Sequence, residues 1–485
     1  MKIKAWGSVL LLSCLCSAVT AQNGNRYLEK PLPRGWGNTV IPNSKTVPTS
    51  TGTANSTTAS ADDNLFSGQI LPVDDQWWKA FNDPVLDSLI SVASGENYSV
   101  LAAIDRMEQA RASLRMERSN FFPSISLNGG WLRQQSSGNT TELPQSITHY
   151  YDASPNASWE LDIFGRMRNA KKQSKALYAQ SRDYRQAVRT QLIAGIANTY
   201  YTLLMLDEQL AISRQTEETW KETVASTRAL MNAGMADESA VSQMEAAYYQ
   251  VQASVLDLEE QINQVENSLA LLLAETPRRY ERGVLAEQQF PADFSIGIPV
   301  RMLSCRPDVR SAERTLEAAF YGTNAARSAF YPSITLGGSA GWTNSAGSMI
   351  VNPGKFVASA VGSLTQPLFA RGQVIAQYRI ARARQEEASL AFQQTLLNAG
   401  SEVNDALTAW QTSRSKSELL DKQVASLQTA ARSTSLLMEH GNTTYLEVLT
   451  ARQNLLSAQL SQTANQFSEI QSLINLYKAL GGGQE

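Results

Sequence analysis

The sequence predicts an α+β fold built by internal duplication, in which each half joins a β-hairpin to a very long helical hairpin. Three observations predict it. The text Asn120-Phe121-Phe122-Pro123-Ser124-Ile125-Ser126-Leu127 returns as Ala329-Phe330-Tyr331-Pro332-Ser333-Ile334-Thr335-Leu336, 209 positions later. That period is too long for a solenoid repeat and suits two equivalent halves. Directly after each copy the apolar periodicity changes from helical to alternating. Finally, no proline occurs between Pro155 and Pro277, or after Pro367.

The 485 residues have ample apolar content for a core, at 43%, and could hold two or three ordinary domains. A formal net charge of −3 and a sequence pI near 5.7 leave no basic footprint for nucleic acid. Chemistry is poorly supplied. Two histidines, His149 and His440, and three cysteines, Cys14, Cys16 and Cys305, show no metal-ligand spacing. There is no Walker loop, Gly-x-Ser-x-Gly or His-Glu-x-x-His motif, so neither enzyme activity nor a cofactor is expected.

At the N-terminus Lys2 and Lys4 precede an apolar run from Ala5 to about Val19. Val19-Thr20-Ala21 then supplies small residues for cleavage before Gln22, so 1–21 reads as a signal peptide. The run is too short to span a bilayer as a helix. Leu11-Leu12-Ser13-Cys14 offers a competing lipoprotein cleavage that would lipidate Cys14. Either route exports the chain, and ordinary cleavage leaves only Cys305, which excludes an intrachain disulfide.

Residues 22–75 are polar, with five prolines and a Ser/Thr tract, and read as an extended or disordered strap. Order begins at Trp77-Trp78-x-x-Phe81-x-Asp83-Pro84, where Pro84 suits a first helical turn, and helices of the first half fill 76–120. The strands of that half occupy 121–163. Ile125, Leu127, Gly129 and Trp131 alternate with Ser124, Ser126, Asn128 and Gly130; Ala153, Pro155, Ala157, Trp159 and Leu161 face away from Ser154, Asn156, Ser158 and Glu160. The second half has a connector (277–304), a helix (305–329) and strands (330–368). There Ile334, Leu336, Ala340 and Trp342 oppose Ser333, Thr335, Ser339 and Gly341, and the last strand alternates less cleanly through Val357 and Val361. Strands of about ten residues can cross a bilayer with tilt. Periodicity alone does not separate a lipid-facing wall from a soluble amphipathic sheet.

The helical hairpins fill 164–276 and 369–483. Their turns are Asn232-Ala233-Gly234-Met235-Ala236-Asp237 and Glu439-His440-Gly441-Asn442-Thr443-Thr444, each a glycine followed three residues later by an N-cap type. Thr444-x-x-Glu447 adds the pattern of a capping box. A first arm of about 67 residues would be about 100 Å long, more than one globular core can cover. In the last arm Leu446, Leu449, Gln453, Leu456, Leu460, Phe467, Ile470, Ile474 and Tyr477 step by threes and fours as a coiled-coil seam. Four membrane strands cannot close a barrel, and open edges in lipid leave backbone groups unsatisfied. Three copies would supply twelve strands.

The chain resembles the outer membrane factor family, the TolC-like ducts, in the branch serving resistance-nodulation-division efflux systems. The resemblance rests on the Trp77 motif, Phe121-Phe122-Pro123-Ser124-Ile125, Glu160-Leu161-Asp162-Ile163-Phe164-Gly165-Arg166, Arg306-Pro307-Asp308-Val309, Phe330-Tyr331-Pro332-Ser333-Ile334 and Asn475-Leu476-Tyr477-Lys478-Ala479-Leu480-Gly481-Gly482-Gly483. It implies an α+β membrane protein: a homotrimer whose twelve-stranded transmembrane β-barrel continues into a long periplasmic coiled-coil barrel. It further implies location in the bacterial outer membrane and docking to a periplasmic adaptor and an inner membrane resistance-nodulation-division pump. Small molecules would then pass outward. A TolC-like duct of type I protein secretion is the alternative, and a periplasmic scaffold without transport a third reading.

The resemblance places a periplasmic aperture at Leu446, Glu447, Thr450 and Gln453. Adaptor-contacting tips fall at Gly234, Asp237, Ser239, Gly441, Thr443, Thr444 and Tyr445. Thr450 stands where members often carry an acid, and Arg452-Gln453 departs from the common order. Phe121, Phe122, Pro123, Phe330, Tyr331 and Pro332 are the helix-to-strand hinges that meet outer membrane lipid.

Overall fold

The computed structural model describes residues 76–136, 146–288, 305–344, 355–440 and 443–482. Cys14, the signal, the strap and Gly441 lie outside them. A 3-10 turn at Trp77–Phe81 leads into α1 (Pro84–Glu96) and α2 (Tyr98–Ser119), followed by β1 (Ser124–Ser136), β2 (Ser146–Leu161), α3 (Arg166–Asn232) and α4 (Glu238–Leu273). The second half runs α5 (Pro307–Ser328), β3 (Ser333–Asn344), β4 (Lys355–Thr365), α6 (Gln373–Glu439) and α7 (Tyr445–Ala479). The duplication is close in length: α2 and α5 each have 22 residues, and α3 and α6 each have 67.

Both hinges are built alike. The helix tightens into i−3 bonds, Phe122 N–H to the Ser119 carbonyl and Tyr331 N–H to that of Ser328, and then Pro123 or Pro332, lacking an N–H, stops it. The return from sheet to helix uses a glycine in the left-handed region, Gly165 at φ 78° and Gly372 at φ 77°. At the first return Asp162 accepts from the Met167 and Arg168 amides at 3.0 and 2.8 Å, satisfying donors of the first turn of α3.

The four strands form one antiparallel sheet in the order β1-β2-β3-β4. Ile125 pairs with Ala157, Leu127 with Pro155, Trp159 with Leu336, and Trp342 with Phe356, so these side chains share one face. The opposite face carries cross-strand hydroxyl pairs, Thr335–Ser363 and Ser339–Ser359. The apolar face is bare, with Ile125 77% and Leu127 78% exposed. Two strand expectations are corrected. β1 and β2 span 13 and 16 residues, beyond the expected ten, because their ladder continues unbroken to Ser136 and Ser146. In β4 the apolar side runs through Phe356, Ala358, Ala360 and Leu364. Residues 357 and 361 register with Gly341 and Gly337, on the hydroxyl side.

Strand order is continued by helix order. α2 lies beside α3, α3 beside α5, and α5 beside α6, and each of these helices is joined to the strand of the same rank. Further along, α4 packs on α3, α3 on α7, and α7 on α6. The same α3 and α6 therefore run through both layers.

The core sits at the changeover, where Leu192, Ile196, Tyr200, Tyr201, Leu204, Leu269, Ile470, Leu473 and Ile474 are buried around the N-terminal turn. Trp77 stacks on Tyr477 at 5.2 Å, and the Tyr200 hydroxyl donates to Asp83 at 2.7 Å, while Asp83 caps α1 through the Val85 and Leu86 amides. Burial pushes the Tyr200 phenol up, with the Asp83 bond acting in the same direction. Three of the quoted motifs meet here. Thr190 donates to the Gly482 carbonyl, and Arg306 donates to the Ala479 carbonyl at 3.0 Å while pairing with Asp308 and Glu402, both at 2.7 Å. Arg306 is 4% exposed, but its two acids are half-exposed. Removing a buried partner costs about 3–5 kcal/mol, and water at the acids reduces that. Arg306→Ala is therefore expected to destabilise by about 2 kcal/mol, read as a lower urea midpoint; an unchanged midpoint would show that the α7 terminus is held without it.

Candidate functional site

The two helical turns close differently. At the first, the Met235 amide donates to the Leu230 carbonyl and the Gly234 amide to that of Met231, both at 2.9 Å, with Gly234 at φ 75°. This is a Schellman end that only glycine adopts without strain. Asp237 then caps α4 by accepting from the Ala240 amide at 2.9 Å and from the Ser239 hydroxyl at 3.0 Å. At the second turn the expected capping box is not made. Thr444 is the N-cap residue but its side chain caps nothing. Glu447 instead accepts a short hydrogen bond from the Thr443 hydroxyl, and its own amide bonds the Thr444 carbonyl at 3.2 Å. The Glu447 carboxylate thus keeps acceptor capacity and remains exposed.

Leu446, Glu447, Thr450 and Gln453 are all exposed on the first turns of α7. Leu446, Thr450 and Gln453 stand at i, i+4 and i+7, one stripe of a helix. Leu446 and Gln453 are therefore not buried members of the seam, as the heptad pattern suggested. Near the tip the core line moves to Val448, 1% exposed, with Tyr445 and Leu449 packing on a cluster of Trp220, Met244, Ala247 and Val251. The cause is that α7 packs on both α3 and α6, so its apolar surface divides between two neighbours. Beside the stripe lies a groove of about 510 Å³ lined by Trp220, Ala247, Val251, Gln453, Leu456 and Leu460.

One residue missed by sequence reasoning ties this end together. Arg452 in α7 donates to the Thr219 carbonyl at 3.1 Å and to the Thr223 hydroxyl, both in α3, and to the Ser435 hydroxyl in α6 at 3.3 Å. Its guanidinium also lies 5.9 Å from the Trp220 ring centroid. Burial lowers its pKa, and Glu222 at longer range opposes this. All the direct acceptors are neutral. The break from common order at Arg452-Gln453 was the one available signal, and it named no partner.

The hinges lie at the opposite end of the long helices, beside the sheet. Phe164 stacks on Tyr331 at 5.0 Å with an interplanar angle of 7°, and the Ser328 hydroxyl donates to the Phe164 carbonyl; Pro332 lines the same small cleft. Phe330 contacts Tyr378 edge-on at 5.9 Å. Phe121 receives the Lys171 ammonium over its ring at 5.4 Å, and its carbonyl accepts from the Trp159 indole at 3.0 Å. Phe122 is 73% exposed. Among the described residues no cluster of His, Cys, Asp or Glu could hold a metal ion, and no helix is long and apolar enough to cross a membrane.

The family described as "Outer membrane efflux protein" matches residues 89–275 and 298–482, one segment in each half. The toluene efflux pump outer membrane protein TtgC of Pseudomonas putida is 30% identical over 426 residues, covering 86% of this chain and 87% of its own. A probable outer membrane lipoprotein, SilC of Salmonella typhimurium, is 27% identical over 412 residues, covering 84% and 88%. Among solved structures the outer-membrane channel OprN superposes with a TM-score of 0.80 at 26% identity, covering 84% of this chain and 93% of its own. The chain belongs to the outer membrane efflux protein family and is an outer membrane component of an efflux system.

Proposed function

We propose that three copies of this chain form a continuous exit duct across the outer membrane and into the periplasm. The observation that carries this reading is the sheet, with one exposed apolar face, one hydroxyl-bearing face and two unpaired edges, β1 and β4. In lipid those edges require partners, and edge-to-edge closure of three copies gives twelve strands. The matched order of strands and helices supports a helical wall that prolongs the barrel. An inner membrane pump of the resistance-nodulation-division class feeds the duct through a periplasmic adaptor. The adaptor contacts the tips around Gly234, Asp237, Ser239, Gly441 and Thr443–Tyr445. Leu446, Glu447, Thr450 and Gln453 ring the aperture. SilC's description as a lipoprotein supports Cys14 as the processed first residue, in competition with cleavage after Ala21.

The test is reconstitution. Purified protein should sediment as a trimer and give channels in planar bilayers; a salt-extractable monomer without conductance overturns the duct. Glu447 supplies the selectivity test. Three carboxylates around one axis attract cations, so Glu447→Ala is expected to lower the cation-to-anion permeability ratio several-fold, by reversal potential in a salt gradient. An unchanged ratio removes Glu447 from the aperture.

A further inference from the structure

Charges near the first hinge are sorted by face. On the side of the sheet's hydroxyl face, Arg166 pairs with Glu160 through two hydrogen bonds at 3.1 and 2.6 Å, and Glu117 of α2 adds its field to the same guanidinium. On the apolar side basic residues gather, with Asp162 as the acid paired to one of them. Lys171 rests on the Phe121 ring, and Phe121 is bonded to Trp159, which belongs to the apolar face. Arg168, Lys171 and Lys175 stand at i, i+3 and i+7 along α3, half a helical turn away from Arg166. Arg115 and Arg118 lie on α2 away from Glu117 in helical projection. All five are exposed. Arg168 pairs with Asp162, whereas Arg115, Arg118, Lys171 and Lys175 form no ion pair among the described residues.

Like charges four apart on a helix, as at Lys171 and Lys175, disfavour the helix by a few tenths of a kcal/mol unless an anion sits between them. Side chains of α3 lean toward its N-terminus, which is the sheet end. Lys171 stands roughly 8 Å from that end along the axis, so its ammonium reaches the level of the exposed hinge aromatics, where a bilayer keeps its headgroups. The second half retains part of the pattern. Arg327 is exposed at the site equivalent to Arg118, Arg382 stands at that of Lys175, and Tyr378 packs on Phe330 where Lys171 packs on Phe121.

We propose that Arg118, Lys171 and Lys175, with Arg115 beside them, form a binding collar for the phosphates of anionic phospholipids in the periplasm-side leaflet. This rests on the duct reading, because the collar needs the strands in lipid. It adds a chemical preference that an apolar wall alone does not have. Charge complementarity and continuity with the apolar strand face and the Trp159–Phe121 pair identify the occupant as phospholipid. On the opposite side the acids already neutralise Arg166.

The test uses full-length protein reconstituted in phosphatidylcholine vesicles with trace spin-labelled phosphatidylglycerol or spin-labelled phosphatidylcholine. The motionally restricted lipid fraction is read by electron paramagnetic resonance. Wild type is expected to select phosphatidylglycerol by about fivefold at low salt, declining as salt screens the surface. The triple variant Arg118→Gln/Lys171→Gln/Lys175→Gln should reduce the selection to near unity, and Lys171→Arg should keep it. Equal affinity for both lipids in wild type, or full selection in the triple variant, overturns the collar. Absence of any restricted lipid, neutral or anionic, would instead remove the membrane-spanning sheet and the duct reading with it.

Discussion

Arg452→Ala is expected to hold the proposed aperture end open, raising the open probability of the reconstituted channel at least tenfold. The physical basis is the single guanidinium that joins α7 to α3 and α6 through Thr219, Thr223 and Ser435. A hydrogen bond from a charged donor contributes about 1.5–3 kcal/mol, but here no carboxylate bonds the guanidinium directly and Glu222 offsets its desolvation only in part, so the net adhesion is small. A net of about 2 kcal/mol per chain shifts a two-state hairpin by about thirtyfold. The contact is strong enough to hold one arrangement and weak enough to be given up when the guanidinium regains water. Arg452→Lys should fall between, because one ammonium cannot span acceptors on two helices as a planar fork does. Thr223→Val, which deletes one acceptor, should raise open probability less than Arg452→Ala. If dwell times are the same in all three variants, Arg452 is only packing against Trp220.

Gly341→Val is expected to abolish assembly. A side chain at residue 341 would collide with the Ala153 carbonyl and with the Ser154 Cα at 2.7 Å, both backbone groups of β2. The β2–β3 ladder is interrupted at this point, between the Ala153–Trp342 and Asn156–Ser339 pairs. Pro155, which has no N–H to offer, stands inside the gap. The strands approach closely there because nothing projects from residue 341, and backbone cannot move aside as a flexible side chain could. Overpacking of this kind costs about 1–3 kcal/mol or more, and it falls in the middle of the pairing that joins the two hairpins into one sheet. The trimer proposed above should be lost from the membrane fraction on native electrophoresis. Gly338→Ala is the control, since its nearest neighbour is the Ser359 carbonyl at 3.6 Å, an ordinary contact; its oligomer should survive. A normal oligomer in Gly341→Val would mean that β2 and β3 can separate there.

The readable parts of this chain are those governed by neighbours in sequence. Pro123 and Pro332 ended helices, Gly234 marked a helix end, and the alternation through Ile125 and Leu127 placed one face of β1. The faces of β4 were not legible from alternation, because valine is apolar wherever it stands. Only pairing with β3 puts residues 357 and 361 on the hydroxyl side and Phe356 and Leu364 with Trp342 and Ile334. Leu446 and Gln453 fit a heptad equally well as seam or as exposed stripe, and the choice depended on which two helices α7 meets. Thr444 and Glu447 had capping-box spacing, yet the carboxylate found the nearer Thr443 hydroxyl.

The sequence by itself determined the duplication, the long arms, the hinges and the family, because each is written in local spacing. Only tertiary structure decided what holds the halves together. Arg452 reaches Thr219 across 233 positions, Thr190 reaches Gly482 across 292, and Gly341 fits against Ser154 across a strand gap. Such contacts depend on the relative placement of whole helices and strands, which no window of neighbouring residues contains.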